Sequence, residues 1–121
     1  MSKAGVRGAH KTSVTHWWHQ RLTAVALILL GLWFALSLII IDPGSLAELL
    51  AWMGNPATAI LLGLLALAGT YHSWLGVQVV LEDYVPHAGQ LRFSLALSLI
   101  AHVVVLAACL FAILRIALGS A

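Results

Sequence analysis

His72 is the residue of this 121-residue sequence best placed to do chemistry. It stands inside the uncharged stretch from Ala57 to Leu81, ten residues before Glu82. On a helix that is roughly 15 Å from the charged end, close to mid-membrane if the stretch spans a bilayer. An ionisable group at that depth is a functional hypothesis by default. Ala68, Gly69 and Gly76 lie at i−4, i−3 and i+4 and share its helix face. Small residues there leave a trough beside the imidazole. Such a trough would admit a flat macrocycle, and imidazole is a standard axial ligand of haem iron. The plainer reading is that the small residues let a second helix approach and His72 hydrogen-bonds across the contact. Spacing alone leaves both open.

His102 is the rival. It lies ten residues after Arg92, on a stretch running the other way, so its depth resembles that of His72. The two could grip one haem, or His102 could be a satisfied interhelical histidine, which is the favoured reading. Ser94 and Ser98, one turn apart, suggest polar packing on that stretch. A second cluster gathers where the apolar runs end. His16, Trp17, Trp18, His19 and Arg21 open the first run, and Asp83 and Tyr84 close the second. An aromatic belt with a snorkelling arginine explains Trp17 and Trp18 well. It explains Asp83 less well, because eleven residues separate Asp83 from His72 and place both on nearly the same helix face. A carboxylate there could orient a cation, and the Tyr84 phenol could donate to a carbonyl at the membrane edge. Arg21 could pair with a carboxylate such as a haem propionate. His10 and His87 read as solvated loop residues, and His19 is ambiguous. Trp33, Trp52 and Trp74 read as packing or interface anchors. No Cys/His metal spacing, phosphate loop or nucleophile–base arrangement is present in the sequence.

The elements that must position these residues follow from composition. Charged residues make up 8% of the chain, against about 25% in a soluble domain. Hydrophobic residues make up 62%, more than a chain this short can bury in its own core. A free-standing soluble enzyme and a disordered chain are both excluded. Six Lys and Arg are too few and too scattered for nucleic-acid binding, and the lone Cys109 forms no internal disulfide. Three uncharged stretches are long enough to cross a bilayer: Leu22–Ile41, Ala57–Leu81, and the residues between Arg92 and Arg115. Backbone groups in lipid must pair internally, so each is a helix. The prediction is an all-α integral membrane protein of one domain, residues 1–121, with spans at about 16–41, 56–82 and 91–115. Residues 1–15 form an N-terminal cytoplasmic segment with no cleavable signal. Lys3, Arg7, Lys11 and Arg21 precede the first span, and the first loop has Asp42 and Glu48 but no Lys or Arg. The positive-inside rule then places the N-terminus in the cytoplasm and the C-terminus outside, with Arg115 alone opposing. Ser45-x-x-Glu48 is a capping box that predicts a short helix on the outer surface between spans one and two. Asn55-Pro56 predicts an N-cap and N1 proline for span two. Pro86 and Gly89 break the chain before span three. Three helices do not readily enclose a cofactor, so their polar residues face a partner.

His16-Trp17-x-x-x-Arg21-x-Thr23 at the start of span one, with His72-x10-Asp83-Tyr84-Val85 closing span two, resembles a known family. That family is the small hydrophobic membrane-anchor subunit of succinate dehydrogenase, the D-type cytochrome b anchor of respiratory complex II. The resemblance covers about residues 13–115. It implies that His72 is the axial ligand of a haem b iron, with the opposite ligand supplied by a companion cytochrome b anchor subunit. It implies that Tyr84 hydrogen-bonds a ubiquinone carbonyl and that Asp83 helps organise the quinone pocket. Arg21 matches an arginine near the haem propionates, and His16 matches a histidine of the mitochondrial-like branch. The family pattern does not use His102 as a ligand. The implied assembly sits in the bacterial cytoplasmic membrane, where a flavoprotein subunit oxidises succinate and an iron–sulfur subunit carries electrons to the quinone. This chain itself would hold no succinate-oxidising site. Three alternatives stay open: a haem-free scaffold, the anchor of a fumarate reductase, and a small proton-coupled transporter. The last is disfavoured because no Asp or Glu lies within the three uncharged stretches.

Overall fold

The computed structural model of the chain describes residues 3–119, with side chains from Ser13 onward. Four helices follow one another: α1 (Lys3–Ile40), α2 (Leu46–Gly54), α3 (Pro56–Tyr84) and α4 (Ala88–Ala117). Three of them contain candidate membrane spans, over Ser13–Ile40, Pro56–Tyr84 and Ala88–Ala117. At 28, 29 and 30 residues these are longer than the minimum of about 20 needed to cross hydrocarbon. The surplus turns carry the polar ends, including Glu82 and Asp83 at the end of α3, both exposed. The sequence places a separate segment before residue 16, whereas α1 already begins at Lys3. No proline stands in that stretch, and isolated glycines such as Gly5 and Gly8 weaken a helix without ending it.

Local side chains set the other helix ends. Asp42 Oδ1 accepts from the Gly44 N–H at 2.9 Å, which folds a tight turn after α1. Ser45 Oγ accepts from Glu48 N–H at 3.4 Å, half of the expected capping box. The other half departs from the pattern: Glu48 Oε2 accepts from the Asp42 N–H at 3.0 Å, three residues before the cap. The Asp42 turn accounts for this, because it folds that N–H back towards the start of α2. Asn55 Oδ1 accepts from Ala57 N–H at 3.0 Å and Thr58 N–H at 3.3 Å, and Pro56 occupies the first turn. At the far end, Val85 N–H donates to Leu81 O and Pro86 stops the helix.

The three long helices form a row rather than a closed bundle. α1 and α4 each pack against α3, and their backbones do not approach one another. α2 packs on α3 and α4, and its Trp52 ring stacks on Trp33 of α1 at 5.8 Å and meets Phe34 at 6.1 Å. Two glycines of α3 lie against side chains of the neighbouring helices. A Cβ on Gly69 would meet Leu27 of α1 at 3.7 Å, and one on Gly63 would meet Leu110 of α4 at 3.9 Å. Among the described residues only Thr58, Leu62 and Leu75 are buried, all on the central helix. Large apolar side chains such as Ile28, Ile39, Ile40, Phe93 and Phe111 stand exposed. Such a surface suits lipid or protein neighbours and would not persist bare in water.

Asn55→Ala removes both capping bonds at the α3 N-terminus and should cost about 1 kcal/mol, with Asn55→Ser costing less. Unfolding midpoints of the detergent-solubilised protein check this; equal midpoints for Ala and wild type would assign the α3 start to packing instead.

Candidate functional site

α1 and α3 run antiparallel, which sets Gln20 and Thr23, three residues apart, against His72. The Thr23 hydroxyl turns back on its own helix and donates to His19 O at 2.8 Å, with Gln20 O at 3.1 Å. The same hydroxyl lies 2.9 Å from His72 Nδ1. The Gln20 side-chain amide nitrogen lies 3.5 Å from His72 Nε2, so both ring nitrogens face groups of α1. The other end of the same amide, Gln20 Oε1, is buried and has no hydrogen-bond partner. Part of the expected trough is filled: Gln20 lies 3.8 Å from where a Gly76 Cβ would stand, and Leu27 covers Gly69.

His102 is arranged differently. Its Nδ1–H donates to Ser98 O at 2.7 Å, and Ser98 Oγ lies 3.3 Å from the same nitrogen. Its Nε2 accepts from the Ser73 hydroxyl of α3 at 3.1 Å. Both nitrogens are used. Ser73 follows His72 in sequence, so the two contacts leave α3 about 100° apart, one towards α1 and one towards α4. The intra-chain histidine pair that similar depth allowed is not formed.

The boundary residues lie at the same end of the molecule without touching His72. His16 lines a cleft of about 400 Å³ with Thr15, His19, Tyr71, Trp74, Leu75 and Gln78, and His72 is not part of its wall. His19, ambiguous from sequence, has its Nδ1 at 2.7 Å from the Tyr71 hydroxyl. The Arg21 guanidinium sits over the Trp17 ring, 4.9 Å from its centre. Asp83 and Tyr84 are on the last turn of α3, both exposed, Tyr84 by 81%. The helix runs unbroken from His72 through Asp83, so the shared face expected from their spacing is retained. Sequence reasoning gave no role to Gln20 or Thr23. The available signal was two polar residues three apart at the mouth of an apolar run. No group of three or more His, Cys, Asp or Glu that could hold a bare metal ion exists among the described residues.

Three membrane-length helices in a row, with polar groups gathered at one end, define an integral membrane protein. The family model for the succinate dehydrogenase/fumarate reductase transmembrane subunit matches residues 2–114, and the chain belongs to that family. It is 36% identical over 84 residues to the succinate dehydrogenase hydrophobic membrane anchor subunit of Rickettsia bellii, covering 69% of this chain and 66% of that one. It is 29% identical over 116 residues to the subunit of the same name from Paracoccus denitrificans, covering 96% of this chain and 88% of that one. No solved structure matches it significantly.

The Ser73–His102 bond is an interhelical contact within the membrane. A double-mutant cycle on Ser73→Ala and His102→Ala should give a coupling of about 0.6 kcal/mol, up to about 1.7. Additive losses in unfolding free energy would mean that the two residues do not interact.

Proposed function

We propose that the chain is the D-type anchor of a succinate:quinone oxidoreductase. It would hold the iron–sulfur and flavoprotein subunits at the cytoplasmic face of a bacterial inner membrane, beside a companion cytochrome b anchor. The basic residues ahead of the first span support a cytoplasmic N-terminus, with α2 then lying at the outer surface. The names of the similar Rickettsia and Paracoccus proteins favour the succinate direction over a fumarate reductase anchor.

The observation that carries the haem assignment is an imidazole well inside a membrane-length helix: His72 on α3. Imidazole is a standard ligand of haem iron. Both ring nitrogens face α1, Nδ1 at 2.9 Å from the Thr23 hydroxyl and Nε2 at 3.5 Å from the Gln20 amide nitrogen. A haem here would require His72 to turn from these partners towards the companion anchor, which would supply the second ligand. Arg21 is exposed at the correct end to meet a propionate, and His16 would lie on the same rim. Bound there, the haem would supply a one-electron store.

Quinone chemistry would lie at the end of α3. Ubiquinone reduction takes up two electrons and two protons. Tyr84 presents an uncommitted phenol at the membrane edge, suited to donate to one quinone carbonyl. Asp83, one residue away and exposed, would hold a partner arginine or a water near that carbonyl. The remaining reading is a haem-free scaffold, in which the His72 contact to α1 is an end in itself.

His72→Ala should abolish the b-type α-band in the reduced-minus-oxidised spectrum of the purified complex. A surviving band would refute the ligand assignment, and a wild-type complex without any band would leave the scaffold. Tyr84→Phe should lower quinone reduction about tenfold, the worth of one hydrogen bond, and leave succinate oxidation with a dye acceptor intact. Equal loss of both activities would place Tyr84 in assembly instead.

A further inference from the structure

Two clefts lie on either side of a ridge made by Tyr71 and Trp74 of α3, whose rings stand 5.9 Å apart and line both. The first, of about 400 Å³, runs between α1 and α3 and carries polar groups: Thr15, His16 and His19 from α1 and Gln78 from α3. The second, of about 430 Å³, runs between α3 and α4. Its wall is almost wholly apolar, with Leu67 of α3 facing Leu99, Val103 and Leu106 of α4. The two clefts stand at different levels. His16 and His19 are beside Trp17, Trp18 and Arg21, ahead of the uncharged run that opens at Leu22, which is the interfacial level. Leu99 to Leu106 lie seven to fourteen residues after Arg92, roughly 10 to 21 Å into the span at 1.5 Å per residue. A polar cleft at the membrane edge thus continues, across one aromatic ridge, into an apolar groove at depth.

That outline fits an amphipathic membrane molecule, with its head at the edge and its chain in the hydrocarbon. Charge narrows the class. Imidazole, amide and hydroxyl groups line the polar cleft, and no Lys or Arg does. Arg21 is turned to the Trp17 ring instead. Glu82 stands four residues after Gln78 and eleven after Tyr71 on the same unbroken helix, so it shares their face. It sets an exposed carboxylate at the edge-side end of the cleft. Hydrogen-bond donors below and a carboxylate above suit a zwitterion made of a phosphodiester and a primary ammonium. An acidic headgroup would meet Glu82 with no fixed cation on the cleft wall to offset it. A quaternary ammonium has no hydrogen to donate to it. We propose that this face holds one phosphatidylethanolamine molecule. Its phosphate lies against His19 and Gln78, its ammonium at Glu82, and one acyl chain over Tyr71 and Trp74 in the groove between α3 and α4. His72 lines neither cleft, so the site is independent of the haem reading.

The test uses the intact membrane complex and a phosphatidylethanolamine probe with a diazirine in one acyl chain. The complex is placed in nanodiscs of phosphatidylcholine, phosphatidylglycerol or unlabelled phosphatidylethanolamine, with the probe as a trace. After photolysis, peptide mass spectrometry should place crosslinks on the groove residues of α3 and α4. Their yield should be about tenfold lower in phosphatidylethanolamine than in the other two lipids, the worth of one charge-assisted hydrogen bond. Glu82→Gln should bring the three yields together while the groove crosslinks remain. Val103→Trp, which sets an indole in the groove, should remove those crosslinks in all three lipids. Equal yields with wild type, or a headgroup preference that survives Glu82→Gln, would overturn the proposal. So would crosslinks spread evenly around the outer helix faces, or a groove that the probe never reaches because a companion subunit covers it.

Discussion

A polar side chain within hydrocarbon must find a partner on a neighbouring helix, and α3 carries two such demands on adjacent residues. His72 faces α1 and Ser73 faces α4, where Thr23 and His102 answer them. Successive residues on a helix point about 100° apart, so the answering helices must stand on different sides of α3. The row arrangement follows from this constraint. Without the two polar contacts little would orient the helices, because apolar side chains gain almost nothing by leaving lipid for one another.

A row of three helices leaves two broad faces uncovered. Only three described residues are buried, so the chain has almost no interior in which a cofactor or substrate could be enclosed. Tyr84 and Asp83 stand free at one end, and Arg21 rests on an exposed tryptophan.

Much of the fold was legible because its signals are local. Long uncharged runs marked the spans, Asn55-Pro56 marked the start of α3, and Pro86 marked its end. The capping box located α2, although Glu48 reached to Asp42 rather than to the cap itself. The helix of α1 extends back to Lys3, ahead of the expected span, through a polar, glycine-containing stretch that gives no hydropathy signal. Of the candidate site, His72 could be singled out by depth and by its small neighbours. Its true surroundings could not, since Gln20 and Leu27 fill part of the trough from a helix about fifty residues earlier in the chain.

The sequence by itself determined that this is a helical membrane protein with two histidines at similar depth and a polar rim at the ends of two spans. Composition, charge-free length and helical spacing are properties of the chain that no packing can alter. Tertiary structure decided what each histidine faces. His72 and His102 are indistinguishable by depth, and each has a hydroxyl across an interface. They differ in their partners: His72 turns both ring nitrogens towards α1, whereas His102 bonds its own helix backbone and Ser73 of α3. That assignment depends on distances of about 3 Å between residues on different helices, and spacing along a single chain does not encode it.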